Sequence, residues 1–184
     1  MSAHERASTG DGAPSGGRIR AGDARSFAAM LPEHDDYLRG LAWAVVRDPN
    51  AIDDIMQTTY EQAYRARDSF DGRSSLRSWL HTICYRTAID HIRYESRRRT
   101  VGLDHDAAER LPASQPSITA EIVIDAEAVD VLSRVDPEQR ALLYFTAGLG
   151  YSYDEVAEIV GMQRGTVASK VSRAKERLRK GPRP

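Results

Sequence analysis

Between Arg164 and Lys180 the chain carries Arg164, Lys170, Arg173, Lys175, Arg177, Arg179 and Lys180, interleaved with the short polar side chains of Thr166, Ser169 and Ser172. Cations at this density pair with phosphates. Short polar side chains between them suit the floor of a DNA major groove, where base edges are read. The chemistry on offer is recognition. Other candidates are weaker. His81 and Cys84 are three apart, with His91 nearby, but a zinc site wants four ligands at defined spacing. Cys84 falls between Leu80 and Ala88 on an apolar side and reads as a core residue. No nucleophile–base pair and no glycine-rich phosphate loop is present, so no catalytic residue, metal or cofactor is expected.

Two short helices around a tight turn would position those cations. Ser152 and Glu155 have capping-box spacing, each side chain satisfying a backbone donor at a helix start. Val156, Ala157, Ile159 and Val160 then form an apolar stripe, and Gly161 sits where a turn needs positive φ. The second helix places Val167, Val171, Ala174 and Leu178 on one side, which must bury. Gly165, Ser169, Ser172 and Arg173 lie opposite, with Thr166, Ala168 and Lys170 on the flanks. This is the plan of a helix-turn-helix, whose second helix enters the major groove.

The chain of 184 residues has a formal net charge of −1, which by itself does not suggest a nucleic-acid ligand. The charge is segregated, with carboxylates crowding the middle and cations two clusters. Binding answers to the local field rather than the sum. A hydrophobic content of 41% permits real cores, and 7% aromatics keeps them modest. The single Cys84 excludes an intrachain disulfide framework and fits a reducing cytoplasm. No apolar run approaches transmembrane length and no apolar signal core opens the chain, so no membrane insertion is expected.

Strand-like alternation is essentially absent, and the fold class expected is all-α: two small helical domains on a flexible linker, after a disordered tail. Residues 1–25, rich in Gly, Ser and Ala, form the tail. Residues 26–99 are a first helical block, 100–117 an acidic, proline-bearing linker, and 118–184 a second helical block. In the first block Leu38, Leu41, Ala42 and Val45 make one stripe, ending near Asp48 and Pro49. Asn50 is a candidate cap for the next helix, with Asp53 and Asp54 in its favourable first turn. Ile52, Ile55, Met56, Thr59, Tyr60, Ala63 and Tyr64 are its expected buried face. A loop from Asp68 to Ser75 precedes a helix with Leu76, Trp79, Leu80, Ile83, Ala88 and Ile92 inward, which runs into Arg93, Arg97, Arg98 and Arg99. In the second block Asp136 and Pro137 read as cap and first turn of a helix carrying Leu142, Phe145 and Leu149 on one side.

The stretch DPNAIDDIMQTTYEQAYRARDSFDGRSSLRSWLHTICYRTAIDHIRYESRRR resembles conserved region two of bacterial sigma factors of the compact extracytoplasmic-function group. The stretch VDPEQRALLYFTAGLGYSYDEVAEIVGMQRGTVASKVSRAKERLRK resembles region four of the same group. The resemblance covers everything except the tail and the linker. It implies a promoter-specificity subunit that binds core RNA polymerase, directs it to promoters and opens the DNA. Region two would dock on a coiled coil of the largest core subunit through Asp53, Asp54, Gln57 and Glu61. It would capture an unstacked base of the downstream (minus-ten) element through the loop of Phe70, Gly72, Arg73, Ser74 and Ser75. Arg86, Arg93, Arg97 and Arg98 would hold phosphates nearby. Region four would read the upstream (minus-thirty-five) element as duplex through Arg164, Thr166, Ser169, Lys170, Arg173 and Arg177, and would also pack on the flap tip of the second-largest core subunit. The linker resembles the family's connector, which threads toward the polymerase active centre. The family is commonly held inactive by an anti-sigma partner, so one is expected here.

Four positions depart from the family pattern. Thr58 follows Gln57 where Glu is common, and Val167-Ala168-Ser169-Lys170 replaces the frequent Val-Lys-Ser-Arg. Gln163 stands where a stronger N-cap such as Ser is usual. Lysine lacks the bidentate fork of arginine, so the promoter preference is expected to differ. The competing reading is a stand-alone helix-turn-helix regulator whose first block is a helical interaction domain. Binding to core polymerase separates the two.

Overall fold

The computed structural model describes residues 24–100, 132 and 134–180. Residues 1–23 of the expected tail (1–25), the expected linker beyond Thr100 and residues 118–131 of the expected second block lie outside the described residues; Ala24 and Arg25 of the expected tail begin a helix. Among the described residues there are helices and no strand.

Helix α1 (Ala24–Met30) leads through a 3-10 turn (Leu31–His34) into α2 (Asp35–Val46). Leu38, Leu41, Ala42 and Val45 are buried as their spacing requires. Arg47 ends α2 in the left-handed region at φ 61°, its N–H donating to the Trp43 carbonyl at 3.1 Å. Helix α3 (Pro49–Ala66) begins earlier than its sequence suggests. Asp48, not Asn50, is its N-cap, accepting from the Asn50 N–H at 2.9 Å, and Pro49 takes the first helical position, where a missing N–H costs nothing. Asp53 and Asp54 therefore sit in the second turn, clear of the strongest field of the helix N-terminus. Ile52, Ile55, Met56, Thr59 and Ala63 bury, but Tyr64 points to solvent with the Arg67 guanidinium 4.5 Å over its ring.

Helix α4 (Leu76–Thr100) is the spine of the molecule. One side, with Leu80, Cys84 and Ala88, packs on α2 and α3. A second side also buries His81 and Tyr85, which face the C-terminal helices. In that second module, α5 (Pro137–Leu143) is capped by Asp136, which accepts from the Gln139 N–H at 2.8 Å. A π-helical turn (Tyr144–Gly148) follows. Helix α6 (Tyr153–Val160) and helix α7 (Arg164–Arg179) complete the helix-turn-helix.

Both expected helical modules are present, and their buried residues join into one continuous core. The joint is polar as well as apolar. The buried Arg140 guanidinium crosses from α5 to the end of α2, donating to the Ala44 carbonyl at 2.8 Å and the Val45 carbonyl at 2.7 Å. It also donates to Val135 at 2.8 Å in its own module. The Tyr144 hydroxyl donates to the Tyr37 carbonyl at 3.1 Å, and its ring fills the space above Gly40.

The capping box at α6 forms as spaced: Glu155 accepts from the Ser152 N–H at 2.8 Å, and the Ser152 hydroxyl accepts from the Glu155 N–H at 3.3 Å. Hydrogen bonds to its own cap hold the Glu155 carboxyl below its ordinary pKa. Replacing Ser152 with Ala should lower stability by about 1 kcal/mol, read as a shift in the urea midpoint at unchanged slope. An unmoved midpoint would show that this end of α6 is held by packing alone.

Candidate nucleic-acid interface

The helix-turn-helix is built by burial on one face. Val156 and Ile159 of α6 and Val167, Val171 and Ala174 of α7 are all buried. Gly161 turns the chain at φ 71°, with the Met162 N–H reaching back to the Ala157 carbonyl at 3.0 Å, which closes the helix end. This presents Arg164, Gly165, Thr166, Ser169, Ser172 and Arg173 to solvent along one face of α7.

The cations on α7 divide into two sets. Arg164 and Arg173 stay on the exposed face. Arg164 pairs with Asp154 at 3.2 Å, and Arg173 donates to the Ser169 carbonyl at 3.2 Å and hydroxyl at 3.3 Å. Lys170 turns the other way and forms a half-buried ion pair with Glu138 of α5. Arg177 donates to Gln139 at 3.1 Å and lies 3.9 Å from Asp136, although more than half of its side chain remains exposed. Lys170 and Arg177 thus fasten α7 to the N-terminal end of α5. Thr166 and Ser169 are free to face a ligand, and the Ser169 hydroxyl donates to the Thr166 carbonyl at 3.0 Å meanwhile.

The loop between α3 and α4 is also mixed in its roles. Phe70 is half-buried and packs on Trp79 at 5.5 Å between ring centroids; Trp79 in turn meets Phe27 edge-on at 6.2 Å. Asp71 accepts from the Arg73 N–H at 3.1 Å and pairs with its guanidinium at 3.1 Å. Gly72 takes φ 73°, a conformation that favours glycine. Ser75 caps α4, its hydroxyl accepting from the Ser78 N–H at 3.0 Å. Ser74 and Arg73 are exposed and remain available. The loop forms one wall of a cleft of about 390 Å³ whose floor includes Trp79 and whose opposite wall is α6.

Arg86, Arg93 and Arg97 are exposed along α4. Arg93 pairs with Asp90 at 3.4 Å, and half-buried Arg98 pairs with Glu95 at 3.5 Å while lying 5.7 Å over Tyr94. On α3, Asp53, Asp54, Gln57 and Glu61 form an exposed row, and Asp54 shares a groove with Arg98 of α4. Asp53 accepts from Arg39 at 2.7 Å, and Gln57 donates to Glu61 at 3.2 Å. Thr58, next to Gln57, is exposed on the same helix and lines a shallow groove with Asp54 and Tyr94.

Cys84 and His81 are interior groups. Burial pushes the Cys84 thiol up to about 12, and its Sγ donates to the Leu38 carbonyl at 3.5 Å. His81 meets Phe145 and Tyr151 edge-on at 5.5 and 5.7 Å, with Nδ1 3.2 Å from the Tyr151 hydroxyl. Among the described residues no three His, Cys, Asp or Glu side chains are grouped to hold a metal ion. No described helix is long and apolar enough to cross a membrane.

Sequence reading did not single out Arg140, Tyr144, Tyr151 or His81 as joint residues. Their partners lie up to 107 residues away, beyond any periodicity. The one available signal was an arginine, Arg140, set directly against the apolar run from Ala141 to Phe145.

The family model described as Sigma-70 region 2 matches residues 31–98, and that described as Sigma-70, region 4 matches residues 126–178. The ECF RNA polymerase sigma factor SigM of Mycobacterium tuberculosis is 30% identical over 160 residues, covering 86% of this chain and 78% of its own length. The RNA polymerase sigma-H factor of Pseudomonas aeruginosa is 26% identical over 176 residues, covering 91% of each chain. Among solved structures, the sigma factor RpoE in complex with the anti-sigma factor NepR from Bartonella quintana superposes with a TM-score of 0.67 at 26% identity, covering 85% of this chain and 96% of that one. CnrH in complex with the cytosolic domain of CnrY shares the fold at a TM-score of 0.61 and 24% identity, covering 86% of this chain and 88% of that one.

His81 makes the joint sensitive to acid. Burial first, then the nearby Arg77 and His34 charges, lower its pKa to about 3. Above the ordinary histidine value of 6.5 the ring is neutral folded or unfolded and costs nothing. Between 6.5 and about 3 only the unfolded chain takes the proton, so stability falls as pH falls. Replacing His81 with Phe should remove this component, about 1.4 kcal/mol for each pH unit below 6.5. The stability difference between variant and parent should therefore move in the variant's favour between pH 7 and pH 4.5. A gap that stays constant with pH would place the titration elsewhere.

Proposed function

The chain belongs to the extracytoplasmic-function (ECF) RNA polymerase sigma factors, and we propose that its exposed surfaces divide the work of promoter recognition as follows. As a sigma factor it binds core RNA polymerase in the cytoplasm, directs it to specific promoters and promotes DNA opening. It is a specificity subunit without an enzymatic reaction of its own.

Residues 26–99 are the polymerase-docking and downstream-element module, 100–117 the linker and 118–184 the upstream-element module. The exposed row Asp53, Asp54, Gln57 and Glu61 suits a basic surface on the core enzyme. The outward face of α7 carries the reading, with Arg164 and Arg173 at phosphates and base edges and Thr166 and Ser169 between them. That face is the observation that carries the proposal: its polar side chains are exposed while every apolar residue behind them is buried or half-buried. Lys170 and Arg177 contribute through the placement of α7, since both are engaged with α5. At the loop, Arg73 and Ser74 are the groups available to an unstacked base, with Ser75, Gly72 and Phe70 shaping the backbone around them. Arg86, Arg93, Arg97 and Arg98 extend a cationic track along α4 for the strand leaving that loop. Solved relatives occur in complexes with anti-sigma factors, and an anti-sigma partner for this chain is part of the proposal.

Reconstituted holoenzyme tests the division. Replacing Arg173 with Ala should weaken upstream-element recognition by about 5- to 100-fold, the range of one good base contact, with core binding unchanged. Footprinting on a promoter mapped from transcripts that rise on overexpression reads the effect. Loss of core binding in this variant would contradict the division. Replacing Ser74 with Trp should leave duplex docking intact and abolish permanganate reactivity of the melted strand. Unchanged melting would remove the loop from the mechanism.

A further inference from the structure

Among the described side chains of α1, Phe27 alone is fully buried, while Arg25, Ala28 and Ala29 around it are exposed. Seven residues are too few for a helix to persist in isolation. Helix α1 therefore forms where Phe27 is seated, beside α3. Position 27 also lies upstream of residues 31–98, the span matched by the region 2 family model.

Phe27 touches the base of the downstream-element loop. Its ring meets Trp79 edge-on with centroids 6.2 Å apart, and Trp79 meets Phe70 at 5.5 Å. Phe70 is where the chain leaves the 3-10 turn (Arg67–Ser69) for the loop, its N–H donating to the Arg67 carbonyl at 3.1 Å. Trp79 sits in the first turn of α4, its N–H donating to the Ser75 carbonyl at 3.0 Å, and lines the cleft beside Arg73, Ser74 and Ser75. Three rings in series thus run from α1 to the loop. The other loop contacts act at its own turn, Asp71 on Arg73, and at its α4 end, where Ser75 caps the helix. The start of the loop is seated by Phe70 on Trp79. Removing the Phe27 ring would open a void behind Trp79, and close-packed neighbours shift into such a void. Trp79 is only half-buried and is free to tilt into it. Phe70 and the loop would follow.

We propose that Phe27 is a positioning residue for promoter opening: through Trp79 and Phe70 it holds the loop in the place that an unstacked base requires, which makes α1 part of the opening apparatus. Capture of a base needs a pocket of fixed shape, whereas attraction of phosphates by exposed cations tolerates small shifts. None of the docking residues on α3 or the reading residues on α7 belongs to the three-ring series. Loss of Phe27 should therefore harm opening and spare the steps before it. The proposal rests on the reading of the loop as the base-capturing element.

Reconstituted holoenzymes carrying full-length wild type, Phe27→Ala, Phe27→Leu, Leu41→Ala or Ser74→Trp would be compared on one promoter. Leu41→Ala opens a cavity elsewhere in the same buried core and controls for lost stability. Phe27→Ala should bind core and protect the duplex as wild type does, yet lose about tenfold in permanganate reactivity of the melted strand, the scale of one aromatic pair. A template already mismatched across the downstream element should restore its transcription. Leu41→Ala should melt the promoter as wild type does. In the free protein, Trp43→Phe leaves Trp79 as the sole tryptophan; there Phe27→Ala should shift the Trp79 emission to the red and raise its quenching by acrylamide. If Phe27→Ala does not fold, Phe27→Leu carries the test, with an expected loss of melting of about threefold. Normal melting by the folded Phe27 variant, an unchanged Trp79 spectrum, an equal loss of melting in Leu41→Ala, or a mismatched template that restores nothing overturns the proposal. Ser74→Trp separates the two readings. Unchanged melting there removes the loop, and this proposal with it. Blocked melting there beside normal melting in the Phe27 variant removes this proposal alone.

Discussion

A buried guanidinium sets the terms for this structure. Arg140 keeps its charge in an interior where an unpaired cation would be very costly. What holds it there is backbone: three carbonyl oxygens, two of them at the end of α2. Those carbonyls are among the acceptors that every helix leaves unsatisfied at its C-terminus, and they carry the negative end of the helix dipole. Donor and acceptors thus complete each other across the two modules. Burial pushes the Arg140 pKa down and the nearby Arg47 charge adds to that, so the pairing is under load. Separation would leave both sides to water, which solvates them well once exposed. The joint is therefore directional. The edge-on contacts of His81, Phe145 and Tyr151 beside it add burial without adding a second orientation.

Helix α4 shows how the joint is reconciled with binding. A single-faced amphipathic helix would hide one stripe and offer the rest. This one is buried on two sides along its first half, at Leu80, Cys84 and Ala88 on one and His81 and Tyr85 on the other. Its exposed cations therefore fall mainly in the second half, past the second module, at Arg93 and Arg97. The acidic row on α3 and the cationic track on α4 lie on neighbouring helices that share a groove at Asp54 and Arg98. A chain of net charge −1 thereby presents carboxylates suited to a basic protein beside cations suited to phosphate.

The helical modules were legible because their signals are local. The alternation of Val156, Ile159, Val167, Val171 and Ala174, the Ser152–Glu155 box, and the Asp136–Pro137 start each depend on residues within a few positions of one another, and each formed as spaced. Errors arose where two local readings compete. Asp48 and Asn50 both suit a cap, and the fixed φ of Pro49 favours the residue just before it. Tyr64 lies at the edge of the apolar stripe of α3, one turn beyond half-buried Tyr60, and turns to solvent although Ala63 beside it is buried. The joint itself was illegible. Arg140 to Ala44, Tyr144 to Tyr37 and His81 to Tyr151 are contacts between distant segments, and no spacing within either segment announces them.

The second helix of the helix-turn-helix carries the same lesson into function. Counted along the sequence, its cations look interchangeable, and a lysine at 170 looks like a weakened phosphate contact. In three dimensions Lys170 is an internal strut to Glu138, and Arg177 braces the same end of α5. A recognition helix must be aimed to within a fraction of a base step, because a rotation of a few tens of degrees exchanges one reading residue for another. Two ionic braces at one edge of α7 fix that rotation, leaving Arg164, Thr166, Ser169 and Arg173 as the outward set. A strut needs a flexible point charge rather than a planar fork, and lysine supplies that. The modest cation count on the outer face then follows from the geometry: part of the charge of α7 is spent on holding the helix in register, and affinity for DNA must come from several surfaces acting together.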